Sequence, residues 1–167
     1  MRLFLCEKPS QAKDIGKVLG VLDGRHDGYF QKGDTAITWV FGHILTQATP
    51  DAYGEEFADF SNIEALPVIP DIWKMEVSSK AAKQFKVIKG LLAKAAEVVI
   101  ATDADREGEV IAREILDYCG YRKKVSRFWT SGLDTQSVKK ALAAIMPGHK
   151  TENLYQAGLA RGRADWL

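Results

Sequence analysis

Short apolar runs alternate with amphipathic stretches along most of this chain. Leu3-Phe4-Leu5-Cys6 reads as a buried strand, with Glu7 and Lys8 at its C-terminal end. Pro9 opens a helix, at a position where its missing N–H costs nothing. Ala12, Ile15, Gly16 and Leu19 give that helix an apolar face, and Gly20 closes it. Tyr29-Phe30 reads as a short strand among turns, and Thr35 to Phe41 (TAITWVF) is a stronger strand signal. Ala48 to Pro70 has no clear period and is expected to be a long ordered loop held down by Tyr53, Phe57 and Phe60. Ile72 to Val77 is expected to be extended, with Ser78 or Ser79 capping a helix that runs to Lys94. That helix would bury Ala81, Phe85, Ile88, Leu92 and Ala95 and leave Lys80, Lys83, Lys86 and Lys89 as a solvated face.

The second half repeats the alternation. Val98 to Ala101 is a strand. A helix from Glu109 would bury Ile111, Ile115 and Tyr118 or Cys119. Val125 to Thr130 is a strand, and Asp134 caps a helix carrying Val138, Leu142 and Ile145 until Pro147-Gly148 breaks it. Glu152 to Leu167 is helical again. Strands alternating with helices predict an α/β fold, a mainly parallel sheet with helices on both faces. The last helix stops at Ala-Asp-Trp-Leu without a cap, so the chain is expected to be part of a longer protein. Residues 1–150 would form one domain, and 151–167 would begin the helix leading into the next.

Composition narrows the classes. The chain has 167 residues, 46% of them hydrophobic, enough to build a core and against disorder. Net charge is +1, so any basic surface must be local. No apolar run approaches membrane-spanning length, and the N-terminus turns charged too early for a signal peptide, which points to a cytoplasmic protein. Cys6 and Cys119 lack metal-ligand spacing and are expected to be free thiols. No Gly-rich nucleotide loop ending in Gly-Lys-Ser/Thr is present.

Chemistry concentrates in Val98 to Glu109, VVIATDADREGE. After the strand, acids fall at alternate positions: Asp103, Asp105 and Glu107. If the segment stays extended, the three carboxylates project together and Ala104 and Arg106 point away, with Gly108 giving freedom to turn. A lone D-x-D is more often a solvated loop. The strand before it and the helix after it favour a metal site at the C-terminal edge of the sheet. An all-oxygen ligand set suits magnesium better than zinc. Glu7 would sit at the same edge. A single histidine after a strand, His43, is ordinarily structural.

Glu7 after the first strand, with D-x-D-x-E-G after a later one, resembles the Toprim domain, which occurs in topoisomerases, primases and some nucleases. EKPSQAKDIGKVLG, WVFGHILTQATPDAY, DADREGE and LARGRADWL together resemble bacterial type IA DNA topoisomerases, most nearly the topoisomerase III group. The resemblance covers essentially the whole chain. It implies ATP-independent cleavage of one DNA strand by a tyrosine hydroxyl, strand passage and resealing. It further implies that Glu7 is the general acid at the leaving 3′ oxygen and that Lys8 steadies the scissile phosphate. Asp103 and Asp105 would be Mg2+ ligands, with Glu107 and Glu7 supporting the ion. Arg161, oriented by Asp165 on the helix leaving the domain, would be a catalytic residue, and His43 matches a Gly-His pair of the family; Lys8, Arg161, His43 and Asp165 would contact DNA. Implied partners are single-stranded DNA, the remaining topoisomerase domains in cis and, left open, a helicase. None of Tyr29, Tyr53, Tyr118, Tyr121 and Tyr155 sits in the context of the family's nucleophile. The chain alone is therefore expected to be inactive. A self-sufficient nuclease or primase-like enzyme, and a non-catalytic α/β module, remain the alternatives.

Overall fold

The computed structural model describes residues 1–59, 61–65 and 67–167. Its frame is built by β1 (Arg2–Cys6), α1 (Pro9–Leu19), β2 (Arg25–His26), β3 (Tyr29–Lys32) and β4 (Thr35–Trp39). It continues with β5 (Leu45–Gln47), β6 (Met75–Val77), α2 (Ala82–Lys94), β7 (Glu97–Ala101) and α3 (Arg106–Tyr118). The remaining elements are β8 (Lys124–Arg127), α4 (Thr135–Ala143), β9 (Met146–Pro147) and α5 (Glu152–Trp166). Seven strands form one sheet in the order β2-β3-β4-β1-β7-β8-β9. The centre, β4-β1-β7-β8, is parallel, and the two edges are antiparallel.

The period-two alternation of β1 explains why both faces are covered. Leu3 and Leu5 join a core with Ile88, Leu92, Ile111 and Ile115 of α2 and α3. Phe4 and Cys6 join the opposite core with Ala12 and Ile15 of α1 and Val138 of α4. Each buried Leu, Ile, Val or Phe among them contributes roughly 1.5–3 kcal/mol before entropy is counted. Helices therefore lie on both faces of a parallel-centred sheet, as the pattern predicts. Pro9 stands in the first turn of α1, and Gly20 ends it at φ 70°.

Several boundaries differ from the pattern. The strand predicted over Thr35 to Phe41 stops at Trp39, and Phe41 is exposed. The strand predicted to Thr130 stops at Arg127. Ile72 to Val77 is a strand only over β6, which pairs with β5 as a separate two-stranded sheet. Neither Ser78 nor Ser79 caps α2; a 3₁₀ turn over Ser79–Ala81 leads into it instead. Asp134 does cap α4, accepting from the Gln136 and Ser137 N–H groups. The segment expected to be a loop contains short 3₁₀ turns, Pro50–Tyr53, Glu55–Phe57 and Ile63–Ala65. Tyr53 fixes it by accepting from the Lys74 N–H at 2.8 Å, whereas Phe60 lies outside the described residues. The lysine face of α2 is solvated, with Lys83 paired to Asp27 at 2.7 Å.

Candidate active site at the C-terminal edge of the sheet

Parallel register sets the site. Leu5 lies beside Ile100 and Cys6 beside Ala101, so β1 and β7 end level with each other. The residues that follow, Glu7 and Lys8 from one strand and Thr102 and Asp103 from the other, must leave at the same edge. β4 ends beside them: the Val40 N–H donates to the Cys6 carbonyl at 2.9 Å, and Gly42, at φ 77°, turns the chain toward His43.

Glu7, Asp103 and Gln11 close a ring of hydrogen bonds. The Asp103 N–H donates to Glu7 Oε2 at 3.1 Å. The Glu7 N–H donates to Gln11 Oε1 at 2.8 Å, and Gln11 Nε2 donates to Asp103 Oδ1 at 3.0 Å. Lys8 Nζ stands 3.4 Å from the other Asp103 oxygen. Burial of the half-buried Glu7 carboxyl raises its pKa, and the charges of Asp103 and Asp105 raise it further against the opposing Asp103 N–H bond. A carboxyl held this way keeps its proton to higher pH than a free glutamate, the property a general acid needs.

The expected alternation of three acids does not extend past the strand. β7 ends at Ala101, and Asp105 is the N-cap of α3, its Oδ1 accepting from the Gly108 N–H at 2.7 Å. Arg106 and Glu107 therefore lie in the first helical turn rather than in an extended run. Asp103 and Asp105 stay close enough to Glu7 for both to raise its pKa, while Glu107 turns toward His43, whose Nε2 is 3.6 Å from Glu107 Oε1. Among the described residues no three His, Cys, Asp or Glu side chains are grouped to hold a metal ion. Gly108 does not supply a left-handed turn. A Cβ there would lie 2.3 Å from the Asp103 carbonyl oxygen, so the glycine permits close approach of helix and loop.

His43 also lies 3.9 Å from Glu114 Oε2, an ion-pair distance. Its pKa is raised, first by Glu114 and then by Glu107 and Glu7, against the effect of burial. Arg161 sits on α5 with its Nε 3.6 Å from Asp165 Oδ2, the i,i+4 pairing read from the sequence. His43, Arg106, Glu107 and Arg161 share an open cleft of about 830 Å³ with Trp73 and Tyr155. The structure thus brings Glu7, Lys8 and Asp103 together and places His43, Glu107, Arg161 and Asp165 along the adjoining cleft.

Three important residues were not singled out by the sequence. Gln11 is one. The others are Arg127 and Glu109, both fully buried. Arg127 Nε meets Glu109 at 2.5 Å, and its guanidinium donates to the carbonyls of Ile100, Thr102, Asp103 and Phe128. Glu109 is shared with Arg113 at 2.8 Å. An arginine inside an apolar strand was the available signal, because buried charges must be paired. Cys6 and Cys119 are free thiols, and burial raises both. Tyr118, expected on a packed face, is 46% exposed with its ring edge against Phe85. Tyr155 is buried, and its hydroxyl donates to Asp117 at 2.8 Å.

Residues 2–132 match the family model described as the Toprim domain. DNA topoisomerase 3 of Staphylococcus epidermidis is 40% identical over 99% of this chain, and the same enzyme of Staphylococcus aureus is also 40% identical. The chain spans 23% of the length of these relatives. Full-length topoisomerase I of Thermotoga maritima shares the fold at a TM-score of 0.62 and 23% identity, over 95% of this chain and 23% of that one.

Proposed function

The chain belongs to the Toprim domain family, and from that premise we propose that it is the acidic half of the active site of a type IA DNA topoisomerase. The observation that carries the reading is the meeting of Glu7, Lys8 and Asp103 at the level ends of two adjacent parallel strands. The topoisomerase 3 relatives support the choice among Toprim enzymes. Residues 1–150 form the Toprim unit in this reading, and 151–167 begin the helix toward the next domain.

Glu7 is the general acid. Its raised pKa keeps a proton available for the 3′ oxygen that leaves when a tyrosine attacks the phosphodiester, and Glu7 retrieves it on resealing. Lys8 is placed to stabilise the charge that grows on the scissile phosphate. Arg161, oriented by Asp165, and His43 contact the DNA strand along the cleft. The nucleophilic tyrosine lies outside these 167 residues.

The donor set fits Mg2+. Asp103 and Asp105 offer carboxylate oxygens beside Glu7, and Glu107 lies in the first turn of α3, on the side of His43. Magnesium takes one or two carboxylates and keeps waters, so it does not need a closed cage of protein ligands. When bound there it would supply positive charge to the phosphate oxygens. Among the described residues no helix is long and apolar enough to cross a membrane. On the topoisomerase reading we place the protein in the cytoplasm, with single-stranded DNA as substrate and a helicase as a candidate partner.

The test is single-strand cleavage with Mg2+. The full-length protein should form a covalent adduct on the 5′ phosphate, and the 167-residue chain should leave the DNA intact. Free nicked DNA produced by the chain alone would replace this reading with a self-sufficient nuclease.

A further inference from the structure

The strongest unassigned feature is the side chain of Gln11. It is 3% exposed and stands on the first turn of α1. Its amide bonds to both strand ends at once within the hydrogen-bonded ring. Its carbonyl oxygen takes the Glu7 N–H and its amide nitrogen holds Asp103 Oδ1. Asp103 in turn donates its N–H to Glu7 Oε2. With Lys8 on the second oxygen of Asp103, the carboxylate is held from both sides.

We propose that Gln11 is a positioning residue for the proposed DNA cleavage, holding the Asp103 carboxylate and the Glu7 backbone in one fixed relation. The inference rests on the topoisomerase reading for its reaction but on this ring for its geometry. Glutamine suits the position for a chemical reason. One amide provides an acceptor toward an N–H and a donor toward a carboxylate, separated by the width of a single group. Glutamate could serve the first and would repel the second. Methionine, of similar length, could serve neither. A buried group that orients an ionised side chain fixes its rotamer before substrate arrives, and loss of such a supporting contact at a metal site costs about 10–100-fold in metal affinity or activity.

The two halves of the amide can be separated in the full-length protein. Gln11→Met should lower kcat for single-strand cleavage about 10–100-fold and leave KM for DNA unchanged. It should also weaken Mn2+ binding, read by electron paramagnetic resonance, by a similar factor. Gln11→Glu keeps the acceptor for Glu7 and adds a carboxylate beside Asp103. It should bind Mn2+ more tightly than wild type while its kcat falls at least as far as that of Gln11→Met. This opposite movement of affinity and rate is a signature that a merely structural role would not give. Wild-type kcat and Mn2+ affinity in Gln11→Met would overturn the proposal. So would a parallel fall of rate, affinity and thermal stability in both variants. If wild type fails to cleave DNA, the topoisomerase reading falls, and the Mn2+ titrations alone decide the role of Gln11.

Discussion

Two halves of the same sheet edge are built on different principles. In the inner half, Glu7, Gln11 and Asp103 are joined by bonds of 2.8 to 3.1 Å, and Arg127 braces the Asp103 loop from the interior. In the outer half, His43 meets Glu107 at 3.6 Å and Arg161 meets Asp165 at 3.6 Å, with every one of these side chains at least 42% exposed. The Asp103 side chain is itself 39% exposed, so what sets the inner half apart is the closed ring of part-buried hydrogen bonds and the fully buried Arg127 behind it, which hold its geometry. Exposed ion pairs are screened and contribute about 0–1 kcal/mol. The inner half is therefore preorganised, whereas the outer half can rearrange around whatever enters the cleft.

Removing the brace should give the largest effect. Burial makes the Arg127 charge harder to hold and Glu109 offsets this, so the pair survives only as a pair. Arg127→Met strands a fully buried Glu109 with Arg113 as its remaining partner and frees four backbone carbonyls. Urea denaturation should show a loss of about 3–5 kcal/mol. Arg127→Met combined with Glu109→Leu should recover much of that loss, because no unpaired charge stays buried. A single variant as stable as wild type would mean that the inner half does not depend on this brace.

The central architecture was legible because its signals are strong. LFLC and VVIA are apolar runs ending in charge, and that is enough to place Glu7 and Asp103 on one edge of a parallel sheet. The antiparallel edges were not legible, since Arg25–His26 and Met146–Pro147 are too short to show a period. Leu45–Gln47 is three residues long, and its pairing with Met75–Val77 is a long-range event. At the site, the period of two was carried beyond the strand into a helix whose cap, Asp105, is one of the acids being counted. Gln11 was readable in principle: a glutamine in the third helical position commonly reaches back to the N–H groups before the helix. Its second bond, across 92 residues to Asp103, exists only in the fold.

Asp105 tests where the inner half ends, at smaller cost. It caps α3 and its charge acts on Glu7, so one side chain carries a structural and an electrostatic role. Asp105→Ala should lose about 1 kcal/mol with the cap. Asp105→Asn retains a good cap and should stay within a few tenths of a kcal/mol of wild type. Both should weaken Mn2+ binding to a similar degree, since both remove the charge. If the asparagine variant binds Mn2+ as wild type does, Asp105 is no part of the proposed metal site.

The smallest effect, and the sharpest check on the outer half, is the titration of His43. Glu114, Glu107 and Glu7 raise its pKa above the ordinary 6.5, so the folded protein holds the proton more tightly than the unfolded chain. The stability gained from this is fully present below pH 6.5 and is lost as pH rises through the folded pKa. Glu114→Gln removes the largest cause and should bring the His43 midpoint, followed by the NMR shift of its ring protons, down toward 6.5. Because the ring is half exposed, added salt should lower the wild-type midpoint in the same direction. Glu7 behaves differently: its rise comes first from burial, which salt does not screen, and its midpoint should move less. A Glu7 midpoint as salt-sensitive as that of His43 would erase the distinction between the two halves.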